Sequence, residues 1–438
     1  MNTREKAESI FYAAITSVLP SVLIAGKVKI ENDHLFIEER VFSLKSINNI
    51  YVIGAGKASA LMAAEIEKIL GKRISGGHII VKYGHSCRLR HIKVTEAGHP
   101  VPDKNGFRAT QSILRIADSA GANDLVICLI SGGGSALLAD YPEGSSPDDM
   151  MKLSRLLVNC GASISEINAV RKHLSNVKGG QLARAVSPAT LVSLILSDVP
   201  GDPLDVIASG PTAPDSTTFC QAMEVLENYN VLDDIPRALV RRLEEGTKGI
   251  IPETPDENDP VFSKTHNILI GTNRSALEAA RLKALEYNIN ALIVTSCLQG
   301  DVVSVADYLL ETALQFREDQ NEVKPVCLLF GGETTVKMTG TGKGGRNQHL
   351  ALLTSVFLKD HPGITILSGG TDGNDGPTDA AGAVVDCETY TAARSKGLDP
   401  EEFISGFDSF HFFKKAGGQI KTGPTMTNVM DIIIVIVE

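Results

Sequence analysis

Residues 50–70 read IYVIGAGKASALMAAEIEKIL, and the fold class turns on this stretch. A β-branched run, Ile50 to Ile53, meets Gly54 and Gly56 and passes into apolar residues at helical spacing. Strand, glycine loop and helix in that succession open a βαβ unit. The same order returns where Leu125–Ile130 leads into SGGGSALL and Leu191–Leu196 into SDVPGDPLDVIASGPT. It returns again at His266–Ile270, Ala291–Thr295, Pro325–Phe330 and Ile364–Leu367. The pattern predicts an α/β protein with parallel sheet, whose ligands bind at the carboxyl ends of strands. These loops lie at those ends.

The 438 residues exceed one ordinary domain. GTKGIIPETPDENDP, residues 246–260, is rich in Pro, Gly and acids and predicts a boundary or exposed linker. The expected domains are 1–250 and 262–438, the second closed by the buried strand DIIIVIVE. Apolar residues at 43% and charged residues at 21% describe a soluble globular chain. A net charge of −10, with no basic stripe interleaved with aromatics, excludes nucleic acid as the expected partner. No apolar run reaches the roughly 18–20 residues of a membrane span. MNTREKAESIFYAAI reads as an amphipathic helix, not a signal peptide. Seven cysteines without a CxxC read as buried reduced thiols, and the expected compartment is the cytoplasm.

An acidic protein that handles small anions must gather its cations locally, and isolated cations sit in the glycine loops. Lys57 follows Gly54 and Gly56, where helix-start amides and one ammonium make an anion site, with a tight βα turn carrying an exposed lysine as the alternative. No GxxxxGK[ST] is present, and GAGKAS lacks the third glycine of a dinucleotide fingerprint. Ser131, Gly132, Gly133, Gly134 and Ser135 suggest backbone amides wrapped around an oxyanion. EINAVRKHLSNVKGGQLA sets Asn168, Arg171 and Lys178 on what reads as a cationic face, with a solvated face as the alternative. Asp198 directly follows a strand, as a catalytic acid or a turn cap.

Further on, Glu333 lies in GGETT after a strand, and Arg346, which can fork two oxygens, precedes a helix with Asn347 beside it. In SGGTDGNDGPTDAAG, Asp372 and Asp379 suit a magnesium ion shared with phosphates, or cap Asx turns. Asn428 sits just before the last strand. Ser–His–Asp pairings, the GxSxG elbow and zinc spacing are absent from the sequence.

Taken in order, GAGKAS, SGGGSALL, NAVRKHLSNVKGGQLA, LSDVPGDPLDVIASGPT, GGETTV, GKGGRNQHLAL and SGGTDGNDGPTDAAGA resemble the glycerate 2-kinase family, whose C-terminal part is called the MOFRL domain. The likeness runs from about Ile50 to the C-terminus, with the MOFRL region at about 325–438. It implies a Rossmann-like parallel-sheet N-terminal domain and a smaller α/β C-terminal domain with a mixed sheet. It implies ATP with Mg²⁺, D-glycerate as acceptor and 2-phosphoglycerate as product. The family's functional lysine falls on Lys57, its arginine on Arg346 and the acid of its LSDV motif on Asp198. A homodimer stays open. Because the motifs come from both halves, the site is expected in a cleft between domains. The rival readings are an NAD(P)H-dependent hydroxypyruvate reductase and a non-catalytic sugar-phosphate-binding protein.

Overall fold

A computed structural model describes residues 1–319 and 323–438. Strands β1 (Val28–Glu31), β2 (His34–Ile37) and β3 (Arg40–Ser43) form a small antiparallel sheet. Next come β4 (Ile50–Ala55), β5 (Ile74–Lys82), β6 (Lys93–Ala97), β7 (Leu125–Ile130), β8 (Thr190–Leu196) and β9 (Thr265–Gly271). They form a six-stranded sheet in the order β6-β5-β4-β7-β8-β9. Pairing from β6 through β8 is parallel. Every side chain of β7 is buried, as a parallel strand covered on both faces requires. The order reverses between β4 and β7, so the loops after those two strands flank the switch point of a doubly wound sheet.

The other large sheet holds β10 (Asn290–Asp301), β11 (Val326–Thr335), β12 (Ile364–Gly370), β13 (Gly382–Val385), β14 (Gln419–Ile420) and β15 (Asp431–Val437). Its order is β10-β11-β15-β12-β13-β14. β10 and β11 are parallel and the other pairs antiparallel, so the sheet is mixed. The expected closing strand is β15. It lies between β11 and β12 and is buried throughout, over a core that includes Phe330, Leu350, Phe412 and Ile433.

The chain divides into two compact units that do not follow its linear order. One lobe is Ile24–Leu196 with Asp202–Ile270; the other is Met1–Leu23, Ser197–Gly201 and Gly271–Glu438. The boundary expected near 250–262 is therefore corrected. Residues 246–260 stay within the first lobe: Thr254 Oγ1 donates to Asp215 at 3.1 Å, and β9 beyond them extends the first sheet. The N-terminal helix Thr3–Ser17, expected in the first domain, belongs to the second lobe. Its Ile10, Phe11 and Ala14 are fully buried, and the Phe11 ring packs on Gly369 of β12. Periodicity shows that a helix has an apolar face, not which sheet accepts it.

Among the described residues no single helix is long and apolar enough to cross a membrane. All seven cysteines are free; Cys128 and Cys327 are buried as expected, whereas Cys220 and Cys297 are exposed.

Candidate active site

The first lobe gathers its chemistry at the switch point. Gly54 and Gly56 have φ of 147° and 143°, and a Cβ there would lie 2.1 Å from the Leu129 carbonyl and from Ser131 Oγ. Only glycine lets the two loops close on each other. Lys57 N–H then donates to Gly132 O at 2.9 Å, Ala58 N–H to Ser131 Oγ at 3.0 Å and Ser59 Oγ to Leu129 O at 3.1 Å. Gly54, Gly56 and Ser131 thus build the frame. The Lys57 side chain lies beside Gly133, whose φ of 83° opens a helix only four residues long, Gly134–Leu137. Ser135 Oγ bonds Ser209 Oγ at 2.7 Å, and Ser209 donates to Asn168 at 3.3 Å. Ala208 and Ser209 hold φ of 53° and 61°, a left-handed strain that non-glycine residues keep where surroundings enforce it.

The helix Ile164–His173 starts on a capping box of Ser163 and Glu166 and brings up the cations. Lys172 is buried against Asp215 at 3.1 Å and Asp205 at 3.4 Å. Lys178 donates to the Leu138 carbonyl at 2.6 Å, 4.0 Å from Asp140, and burial holds its ammonium below the usual lysine range. Arg171 differs: among the described residues it makes no hydrogen bond or ion pair, and burial lowers its pKa. Lys57 likewise has no carboxylate within ion-pair range among the described residues. Two unpaired cations in an acidic protein call for an anion.

His99, which the sequence reading missed, follows β6, and its Nε2 would lie 2.8 Å from a Cβ on Gly133. Burial first, then the charges of Lys57, Lys82 and His85, push its pKa to about 4. His78, buried and bonded to Thr95 at 2.8 Å, is likewise lowered to about 4, by burial and then Lys93. Both imidazoles are neutral in the fold but take a proton near pH 6.5 when unfolded. The unfolded state therefore binds more protons between about pH 4 and 6.5, and stability falls as pH drops through that window. For the pair, of the order of 1–2 kcal/mol is lost after allowance for solvent screening. Urea titrations at pH 7 and pH 5 should show a smaller loss for a His78→Gln variant than for wild type.

His99, Val101, Phe107, Gly133, Met151 and Val158 line a cavity of about 430 Å³ in this lobe, with Ser135, Arg171, Ser175 and Lys178 at its polar part.

In the second lobe the start of β15 and the ends of β11 and β12 share one edge of the sheet. Asp431 pairs in register with Gly332 on one side and Gly370 on the other. Its buried carboxylate takes Arg346 through Nε at 2.5 Å and Nη2 at 3.0 Å, while Arg346 Nη1 donates to Glu333 at 2.6 Å. Burial alone would lower the Arg346 pKa, but Asp431, Glu333 and Asp375 together raise it. The fork expected to meet a substrate is thus occupied by Asp431. Asn428 Nδ2 lies 3.4 Å from Asp198 Oδ2, so those two expected site residues do meet.

Asn347 is committed within the protein: its side chain bonds Ser368 at 2.6 Å and Asp375 at 3.4 Å. Asp375 caps the helix Arg346–Leu358 through the amides of Asn347 and Gln348 at 3.0 and 2.8 Å. Desolvation nevertheless raises its carboxyl to about 6. Between about pH 4 and 6 it therefore opposes the histidines, so the pH test reads the difference between variant and wild type. Of the expected metal ligands, Asp379 pairs with Lys421 at 2.8 Å, and Asp372 accepts the Asn374 amide at 3.0 Å in an Asx turn. Among the described residues no three His, Cys, Asp or Glu side chains are grouped to hold a metal.

A doubly wound lobe with unpaired cations at its switch point, joined to a mixed-sheet lobe, defines a class of two-lobed α/β proteins that handle small anions. Residues 6–244 match the family model described as a domain of unknown function, DUF4147, and residues 326–431 match the MOFRL family. The glycerate 2-kinase of Pyrococcus horikoshii is 40% identical over 100% of this chain and 98% of its own. A protein of Agrobacterium vitis with the provisional name hydroxypyruvate reductase is 37% identical over 100% of this chain and 95% of its own. The crystal structure of Thermotoga maritima glycerate kinase superposes with a TM-score of 0.88 at 38% identity, covering 99% of each chain. The chain belongs to the glycerate 2-kinase family, with its DUF4147 and MOFRL domains.

Proposed function

We propose that this protein transfers the γ-phosphoryl group of ATP to the 2-hydroxyl of D-glycerate, giving 2-phosphoglycerate and ADP. The observation that carries the reading is the pair of unpaired cations, Lys57 and Arg171, at the switch point of the first lobe. Phosphoryl transfer asks a protein mainly for positioning and for neutralising charge on phosphate oxygens, and these side chains supply both. Asp198, held beside Asn428, steers or accepts the proton of the attacking hydroxyl. Arg346 locks Glu333 and Asp431 in place, so its role is to position that acidic pair.

Magnesium fits only as an ion shared with nucleotide phosphates, because that arrangement needs one or two protein carboxylates. Asp372 would hold it, and the ion would neutralise phosphate charge. The lysine on Asp379 argues against that residue as a ligand.

The reductase reading fits the fold less well. Ser59 stands where the third fingerprint glycine belongs, and β5 ends on Lys82, where the ribose of NAD needs an acid. Incubation with ATP, Mg²⁺ and a panel of hydroxy acids, read by phosphorus NMR, should give 2-phosphoglycerate from D-glycerate. NADH consumption with hydroxypyruvate and no phosphorylated product would refute the kinase reading.

A further inference from the structure

We infer that the cavity of the first lobe is the nucleotide pocket, with the outer face of the helix Pro147–Asn159 as the rest for the base; this deepens the kinase reading and rests on it. The helix is amphipathic in two directions. Leu153 and Leu157 are fully buried in a core with Phe219 and Leu226. Met151, Ser154, Arg155 and Val158, spaced three and four apart, instead line the cavity. Val158 remains 61% exposed there. Met151 and Val158, two turns apart, put apolar surface into a formed cavity beside Ser154 and Arg155, and a ligand would cover that surface.

The polar part of the same cavity sets two cations, Arg171 and Lys178, against one carboxylate, Asp140, which is taken up by the Ser175 hydroxyl and the Asn176 amide. Arg171 enters it without a partner among the described residues, and Lys178 is buried and held by the Leu138 carbonyl. Lys57 stands at Gly133, on the cavity wall. At about 430 Å³ the space falls in the range, roughly 300–1,000 Å³, that encloses drug-sized ligands.

Glycerate is a three-carbon acid with no apolar surface to lay on Met151 and Val158. A purine has two apolar faces and a polar edge. Ser154 and Asn159 offer hydrogen-bonding groups for that edge. A nucleoside polyphosphate therefore matches both parts of the cavity, and the acid acceptor matches one.

Isothermal titration of the full chain with ADP and, separately, with inorganic tripolyphosphate tests this. Replacing Met151 and Val158 together by Ser should raise the ADP Kd roughly tenfold, the effect of losing about 1.4 kcal/mol of apolar contact. The tripolyphosphate Kd and the KM for glycerate should stay unchanged. Val158→Ser alone alters an exposed side chain, cannot unfold the helix, and should give a smaller shift of the same sign. Arg171→Met should weaken ADP and tripolyphosphate alike. No ADP binding by wild type, or Ser variants that move the glycerate KM and spare ADP, would overturn the assignment. ADP binding weakened by the Ser variants, with no hydroxy acid phosphorylated, would support the pocket while refuting the kinase reading.

Discussion

Lys57→Ala is expected to lower kcat/KM for ATP-dependent phosphorylation of glycerate by roughly 10³-fold, about 4 kcal/mol of transition-state stabilisation. The size follows from the surroundings of the ammonium. It stands beside Gly133 and His99, with no carboxylate in ion-pair range among the described residues to soften its charge. Nothing in the fold leans on that charge. The backbone of Lys57 makes the structural bond, to Gly132 at 2.9 Å, and alanine keeps it. Unfolding should therefore shift by no more than about 0.5 kcal/mol, as for an ordinary surface change. Lys57→Arg keeps the charge but not the compact ammonium, and should recover only part of the rate. Steady-state kinetics beside a thermal melt separate these outcomes; full activity in the alanine variant removes Lys57 from the reaction.

Arg346→Ala should behave differently, because that guanidinium carries structure. It is the counter-charge of Asp431, a carboxylate whose side chain is only 4% exposed in the strand between β11 and β12. Removing one partner of a buried pair leaves the other charge uncompensated, at a cost of about 3 kcal/mol or more. Activity should fall by orders of magnitude and stability with it. The double variant Arg346→Ala/Asp431→Asn removes the stranded charge. It should regain most of the stability and little of the activity, because Glu333 still lacks its 2.6 Å partner. A double-mutant cycle in urea gives the coupling directly. Additive stability losses would mean that the pair is not an energetic unit.

The contrast between these residues shows where sequence reasoning reaches. Lys57 stood out because a lone cation in a glycine loop after a strand has few structural uses, and in the fold its ammonium has no ion pair among the described residues. Arg346 was equally visible, but its partner Asp431 was not: it is the first residue of its strand, not one that follows it. The antiparallel direction of β15 brings that leading end to the edge where β11 and β12 finish. A search for polar residues at either end of an apolar run would have found it. Arg171 and Lys172 looked alike in sequence, and only the fold pairs Lys172 with Asp215 and leaves Arg171 unpaired. His99 stayed hidden because a histidine between a glycine and a proline reads as a turn. The sheets themselves were legible from strand–loop–helix repetition. The lobe boundaries were not, since the chain re-enters the second lobe at Ser197–Gly201 with no change in composition.

The first helix of the chain has a consequence for how the protein is made. Its Thr3 hydroxyl bonds the carboxylate of Glu438 at 2.7 Å, so the first turn and the last residue meet. Ile10 and Phe11 leave the ribosome long before the strands they pack on, β12 and β15. A growing chain folds its early segments first. Here the helix waits until both strands have been made before its apolar side finds shelter.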